Sequence, residues 1–291
     1  MAALLALLAS LLWGTGDFLG GRLSRTVHPV AVVRATQGIA AVGLVVVVVA
    51  TGETGRTGAV AWGVAAAVFG SLGVGSFYAA LASGTMGVVA PIAATGVVIP
   101  VAVGLAGGDS PFAIQLAGIA VTVVGVVLAS GPERGRGRAV PAGPGEPSAT
   151  PTVARRRPLL LAGVAAVGFG TGAALVAEGS QSSVAMTLLV MRVTTTVACT
   201  ALLLIVVRRA ARPGRRDLPV LSVVAVTDAG ANGAYAVATT LGQLSVSAVL
   251  ASLYPAITAL LAWRFLHERL RRVQVVGVVT TLLGVAMIAA G

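Results

Sequence analysis

The chain has 291 residues, of which 57% are hydrophobic and only 10% charged, and its mean hydropathy is +0.97. A soluble domain cannot hide that much apolar surface inside itself, so lipid must be the solvent for much of the outside. The net charge of +11 and the pI of about 11.6 would suit a nucleic-acid binder, but the charge falls in short connections between apolar runs rather than on one aromatic-studded face, which excludes that class.

A spanning helix needs about 20 apolar residues to cross about 30 Å of hydrocarbon at about 1.5 Å per residue. In chain order, runs of that kind predict ten spans: 2–21, 30–50, 60–82, 86–107, 112–130, 159–178, 184–207, 218–239, 246–266 and 273–290. The first lacks a basic start and so reads as a retained helix rather than a signal peptide. Between the fifth and sixth spans, residues 131–157 turn to Pro, Gly and Arg and cannot bury enough surface to fold, so they are read as a linker.

The two sides of that linker repeat each other. Asp109, Gln115 and Gly118 match Glu268, Gln274 and Gly277 at a constant separation of 159 residues, and Gly125 matches Gly284 in the same register. Nearer the front, Gly14-Thr15-Gly16 returns as Gly170-Thr171-Gly172, and Arg34 returns as Arg192. The predicted domains are therefore 1–130, a first five-helix repeat, and 158–291, a second. An odd number of spans per repeat makes the second enter the membrane from the opposite side. The predicted fold class is an all-α integral membrane protein of ten transmembrane helices arranged as two inverted five-helix repeats.

Arginine placement fits that inversion, because basic residues in short loops are held on the cytoplasmic side. Connections after spans 1, 5, 7 and 9 are arginine-rich (Arg22 and Arg25, Arg134 to Arg157, Arg208 to Arg216, Arg269 to Arg272), whereas those after spans 2, 4, 6 and 8 carry only Arg56. Taken alone, the count puts the arginine-rich loops in the cytoplasm and both termini outside.

Ionisable groups inside a bilayer cost several kcal/mol, so each is a candidate for function. Asp228, Asn232 and Tyr235 are spaced i, i+4, i+7 within the eighth span, which puts a carboxylate, an amide and a phenol on one helical face. They form the leading substrate or coupling site, in which Asp228 takes up a proton or meets a substrate amine; the alternative is interhelical glue. Asp17 and Arg34 reach similar depths in the first two spans, and Glu178 and Arg192 flank the next corresponding turn. These two pairs suggest alternating gates, against permanent pairing or snorkelling to the headgroups. Trp13, Phe18, Tyr78, Tyr235 and Tyr254 can wall a cavity, and Gln37 and Gln181 are weaker candidates. Pro91, Pro100 and Pro255 strand the carbonyls of Gly87, Gly96 and Ala251, for binding or, more simply, for packing.

The inventory argues against an enzyme. His28 and His267 lie at opposite connections, Cys199 is isolated, and neither a metal-ligand cluster, a cofactor motif nor an ATP-binding motif occurs. Coupling energy must then come from an ion gradient or from the substrate's own gradient.

Ten spans in two halves, the aromatic-Gly starts Trp13-Gly14 and Phe169-Gly170, Arg34 and Arg192 early in each second span, and the segment Phe265 to Leu270 together resemble the EamA-type transporters of the drug/metabolite transporter superfamily. The resemblance covers nearly the whole chain. It implies a basket of ten helices in the plasma (inner) membrane, export of small metabolites such as amino acids, amines or drugs, and both termini in the cytoplasm, opposite to the arginine count. The implied partners are a small-molecule substrate, membrane lipids and protons, with no cofactor, no metal and no nucleic acid, and with the chain a monomer or homodimer. A lipid flippase or a non-transporting membrane scaffold is the rival reading.

Overall fold

The computed structural model describes residues 1–23, 26–83, 92–129, 151–205, 207, 213–266 and 272–290. Its helices are α1 (Ala2–Leu23), α2 (Pro29–Thr51), α3 (Gly58–Ser83), α4 (Val98–Ala106), α5 (Ala113–Ala129), α6 (Pro151–Ser182), α7 (Val184–Ile205), α8 (Leu218–Leu241), α9 (Leu244–Ala251), α10 (Tyr254–Leu266) and α11 (Arg272–Ala290). Six of the described helical stretches are long and apolar enough to cross a membrane. Four shorter apolar ones, Ile92–Ala106, Ala113–Leu128, Leu244–Thr258 and Val275–Ile288, complete the predicted ten in order.

Two details differ from the sequence reading. Helix α6 starts at Pro151, inside the stretch read as linker, because proline is well suited to a first helical turn and the chain runs on as helix into the sixth span. The ninth span is broken at Ser252 and Leu253, just before Pro255, which cannot donate the hydrogen bond that would carry α9 into α10.

Burial is arranged for lipid. The interior is mostly Ala, Ser, Thr and Gly, while long aliphatic side chains point outward, among them Val42 at 70% and Val46 at 65% exposure. Small residues let helix backbones approach where lipid tails offer no hydrophobic incentive to associate. Gly73 in α3 works this way: a Cβ there would lie 2.8 Å from the Phe169 ring. Pro100 acts similarly, since the carbonyl of Gly96 that it leaves free is pressed against Gly170. Close packing accounts for Gly73 and Pro100. Pro91 lies outside the described residues.

The packing is reciprocal between the halves. Helix α1 packs on α8 as α6 packs on α3, and α5 packs on its own counterpart α11. At that last contact a Cβ on Gly125 would strike Thr281, and one on Gly284 would strike Thr122, both residues of each contact being displaced by the same 159 positions. Ring pairs repeat too: Trp13 with Tyr235 and Phe169 with Phe77 each have centroids 5.8 Å apart. Such exchange of partners is what a two-fold axis produces.

Two carboxylates fasten the first half to helix starts of the second. An oxygen of Asp109 accepts from Ser245 N at 2.8 Å, capping α9. Glu53 accepts from the Ser183 hydroxyl, whose oxygen in turn accepts from Met186 N at 3.0 Å and caps α7. Both satisfy backbone donors that a helix start leaves orphaned. Within the repeated motif, Gln115 also caps, its side chain accepting from Phe112 N at 2.9 Å. Asp109→Ala is therefore expected to lower stability by about 1 kcal/mol while Asp109→Asn keeps most of it, measured by thermal unfolding in detergent. Equal melting of all three proteins would remove the cap from the account.

Candidate functional site

The predicted face of α8 is present. Asn232, buried, donates to the Asp228 carbonyl at 2.8 Å and to its Oδ1 at 3.1 Å, which steers the carboxylate within its own helix. The other oxygen, Oδ2, meets Arg192 of α7 at 2.6 Å, the ion pair among the described residues. Gln37 of α2 closes the triangle: its amide nitrogen donates to the same Oδ2 at 2.9 Å, and its oxygen accepts from Arg192 at 2.5 Å. A second Arg192 nitrogen reaches the Asp228 carbonyl at 3.3 Å.

Three spans from both halves thus converge on one charge pair. Arg192 is 3% exposed and Asp228 26%, so the guanidinium is sealed and the carboxylate keeps one open side. A sealed cation in a bilayer is costly; the carboxylate and the Gln37 oxygen offset that cost.

A ring cluster joins α1, α8 and α10. Trp13 of α1 sits 5.8 Å from Tyr235 and 6.1 Å, edge-on, from Tyr254. Tyr235 is buried and its hydroxyl donates to the Ala173 carbonyl on α6 at 3.3 Å. Phe18 packs away from them against Phe265 at 6.1 Å. The side chain of Tyr78 lies outside the described residues.

The expected gate pairs are not the pairs that form. Arg192 reaches Asp228, and Glu178 is exposed with no ion pair to it. Asp17 and Arg34 do not pair either: Arg34 lies in charge range of Cys199 on α7, and Asp17 lies in charge range of Asp228 and Tyr254. Similar depth along neighbouring helices does not fix azimuth, so it does not by itself bring two side chains together. Gln37 is the site residue undervalued by the sequence reading. Its signal was an amide one turn from Arg34 inside an apolar run. His28 is structural, its ring nitrogen accepting from Val30 N at 3.3 Å at the start of α2. His267 lies outside the described residues.

The sequence profile described as the EamA-like transporter family matches residues 1–131 and again 156–290. The chain belongs to the EamA-like transporter family. Comparison with curated proteins finds no match. Among solved structures, one titled "Crystal structure of protein" resembles this chain with a TM-score of 0.76 at 16% identity, covering 98% of this chain and 94% of the other, a likeness of fold. As an EamA-like protein the chain is a multi-pass membrane transporter of the drug/metabolite transporter superfamily, acting on small molecules from within lipid.

Proposed function

We propose that this EamA-like chain is a secondary transporter of the plasma (inner) membrane that exports small metabolites (amino acids, amines or drugs) by alternating access, coupled to protons. The halves, 1–130 and 158–291 joined by 131–157, rock about the centre where α2, α7 and α8 meet. The observation that carries this reading is the buried Arg192–Asp228 pair bridged by Gln37. A charge pair placed among apolar helices adds little net stability against apolar substitutes, so it needs a reason to be there. Asp228 keeps 26% of its side chain exposed, so the pair has an open side at the carboxylate. In this reading Arg192 and Asp228 stabilise a closed state and part when substrate or a proton claims the carboxylate. Asp17 and Asn232, with Trp13, Tyr235 and Tyr254, complete the site; Arg34 and Glu178 act outside the central pair.

Proteoliposomes carrying the purified chain are expected to take up labelled amines or amino acids when a pH gradient is imposed. Asp228→Asn should abolish that dependence on pH with the protein still folded. Uptake unchanged by the substitution at every pH would remove Asp228 from the mechanism, and movement of labelled lipid without solute would favour a flippase.

A further inference from the structure

Polar contacts between the halves are unevenly placed across the membrane. Successive spans run antiparallel, so the turns after the second, fourth, sixth and eighth spans share one face, the arginine-poor one. Glu53 lies in the first of these turns and accepts from the Ser183 hydroxyl in the third. Asp109 lies in the second and accepts from Ser245 N, just past the fourth, at 2.8 Å. Each turn on that face is thus tied to one from the other half. The halves also approach closely there: a Cβ at Gly58 would lie 3.3 Å from the Ser182 hydroxyl, and one at Gly104 2.8 Å from Ser245 N.

The opposite face is built differently. Leu23 and Val27 meet Leu221 there through apolar contact, which has no preferred direction. The caps described on that face are local: His28 accepts from Val30 N at 3.3 Å at the start of α2, and Asp217 from Gly214 N at 2.8 Å within its own turn. No hydrogen bond between described residues joins the halves at this face. Arg22 from the first half and Arg215 and Arg216 from the second are exposed on it, and like charges resist close approach.

Each tie on the arginine-poor face also strands a hydroxyl. Ser245 is fully buried and its Oγ has no partner among the described residues, although its backbone nitrogen is held by Asp109. Thr187, one turn beyond the Ser183 cap, is fully buried with Oγ1 likewise unpartnered. A buried hydroxyl without a partner costs about 1–3 kcal/mol, a cost that water removes once the face opens. Closure therefore gains a cap and strands a hydroxyl at each tie, which keeps the closed and open states close in energy.

We propose that Glu53 and Asp109 form a two-point latch: their caps on α7 and α9 hold the arginine-poor face shut, and their release lets that face open as the arginine-rich face closes. This deepens the alternating-access reading and rests on it, since rocking of one half against the other must break both ties together.

Spin-label distances in the full chain in lipid nanodiscs test the latch, with Cys199→Ala as background. Label pairs at Arg56→Cys with Gln181→Cys and at Ser110→Cys with Leu241→Cys span the two ties, and Arg22→Cys with Arg216→Cys spans the opposite face. Glu53→Ala or Asp109→Ala alone should raise the ratio of long to short distances on the arginine-poor face about fivefold, and the two together about thirtyfold, as loss of one and two caps does. Glu53→Gln and Asp109→Asn should stay near wild type, because an amide oxygen still accepts. The pair at Arg22 and Arg216 should shorten as the others lengthen, which a merely loosened fold would not produce. Unchanged distances in a monodisperse double variant overturn the latch, as does widening on both faces at once. Should the double variant lose monodispersity, the single variants decide by the same readout at about fivefold. Distances that respond while no solute crosses proteoliposomes would leave the latch standing and end the transporter reading; transport with distances unmoved by loss of both caps would do the reverse.

Discussion

Arg192→Met is expected to be the most damaging single change at the site. It leaves Asp228 inside the bundle with only amide partners, Asn232 and Gln37, in place of its 2.6 Å counter-ion. Removing one member of a buried pair costs about 3–5 kcal/mol, because the other charge stays desolvated. Asp228→Leu should cost a similar amount by stranding Arg192. The double variant Arg192→Met with Asp228→Leu should recover most of the stability, since neither charge remains, yet transport nothing. Gln37→Leu separates charge from hydrogen bonding: the ion pair survives, and hydrogen bonds between membrane helices are worth about 0.6 kcal/mol on average, so a small loss is expected. Thermal unfolding in detergent with a transport assay on each variant decides the matter. Single variants as stable as the double would mean that the pair carries no coupling. A double variant that still transports would make it structural only.

The fold was legible because a bilayer restricts the choices. Span length, the 159-residue register and arginine-poor loops at alternate connections each constrain a helix count or a direction, and none depends on side-chain geometry. The repeat even foreshadows contacts, since Gly125 and Gly284 match in sequence and meet reciprocal threonines in space. The site was legible only along α8, where Asp228, Asn232 and Tyr235 share a face by periodicity alone. Its partners were not, because they come from α7 of the same half and from α2 across the interface between halves, and rotation of one helix against another leaves no trace in one sequence. The repeat itself misleads here. Arg34 and Arg192 correspond, but the positions equivalent to Asp228 in the first half are Gly70 and Ser71, so only one of the two arginines has a carboxylate to meet. The duplicated scaffold is symmetric, and the charge it carries is not. That asymmetry is compatible with a pathway whose centre belongs to α1 and α8 rather than to their counterparts α6 and α3.

The second large effect is expected at the contact of α5 with α11, where symmetry becomes measurable. A methyl group at Gly284 would enter the space of Thr122 and lie 2.6 Å from its backbone nitrogen; one at Gly125 would press on Thr281, 2.7 Å from its Cα. In both cases backbone is among the obstructing atoms, so relief requires the helices to separate, and separation forfeits the close packing that holds membrane helices together. Gly125→Ala and Gly284→Ala should each lose about 1–3 kcal/mol, by closely similar amounts, because the two contacts are related by the two-fold. Gly43→Ala and Gly163→Ala meet nothing within 4 Å and serve as controls at neutral or slightly raised stability, since alanine is the better helix former. Melting temperatures in one detergent compare all four. Losses at Gly43 and Gly163 equal to those at Gly125 and Gly284 would mean that glycine matters here for backbone freedom rather than close approach. Unequal losses at Gly125 and Gly284 would show that the halves, though matched in register, do not share the load at this seam.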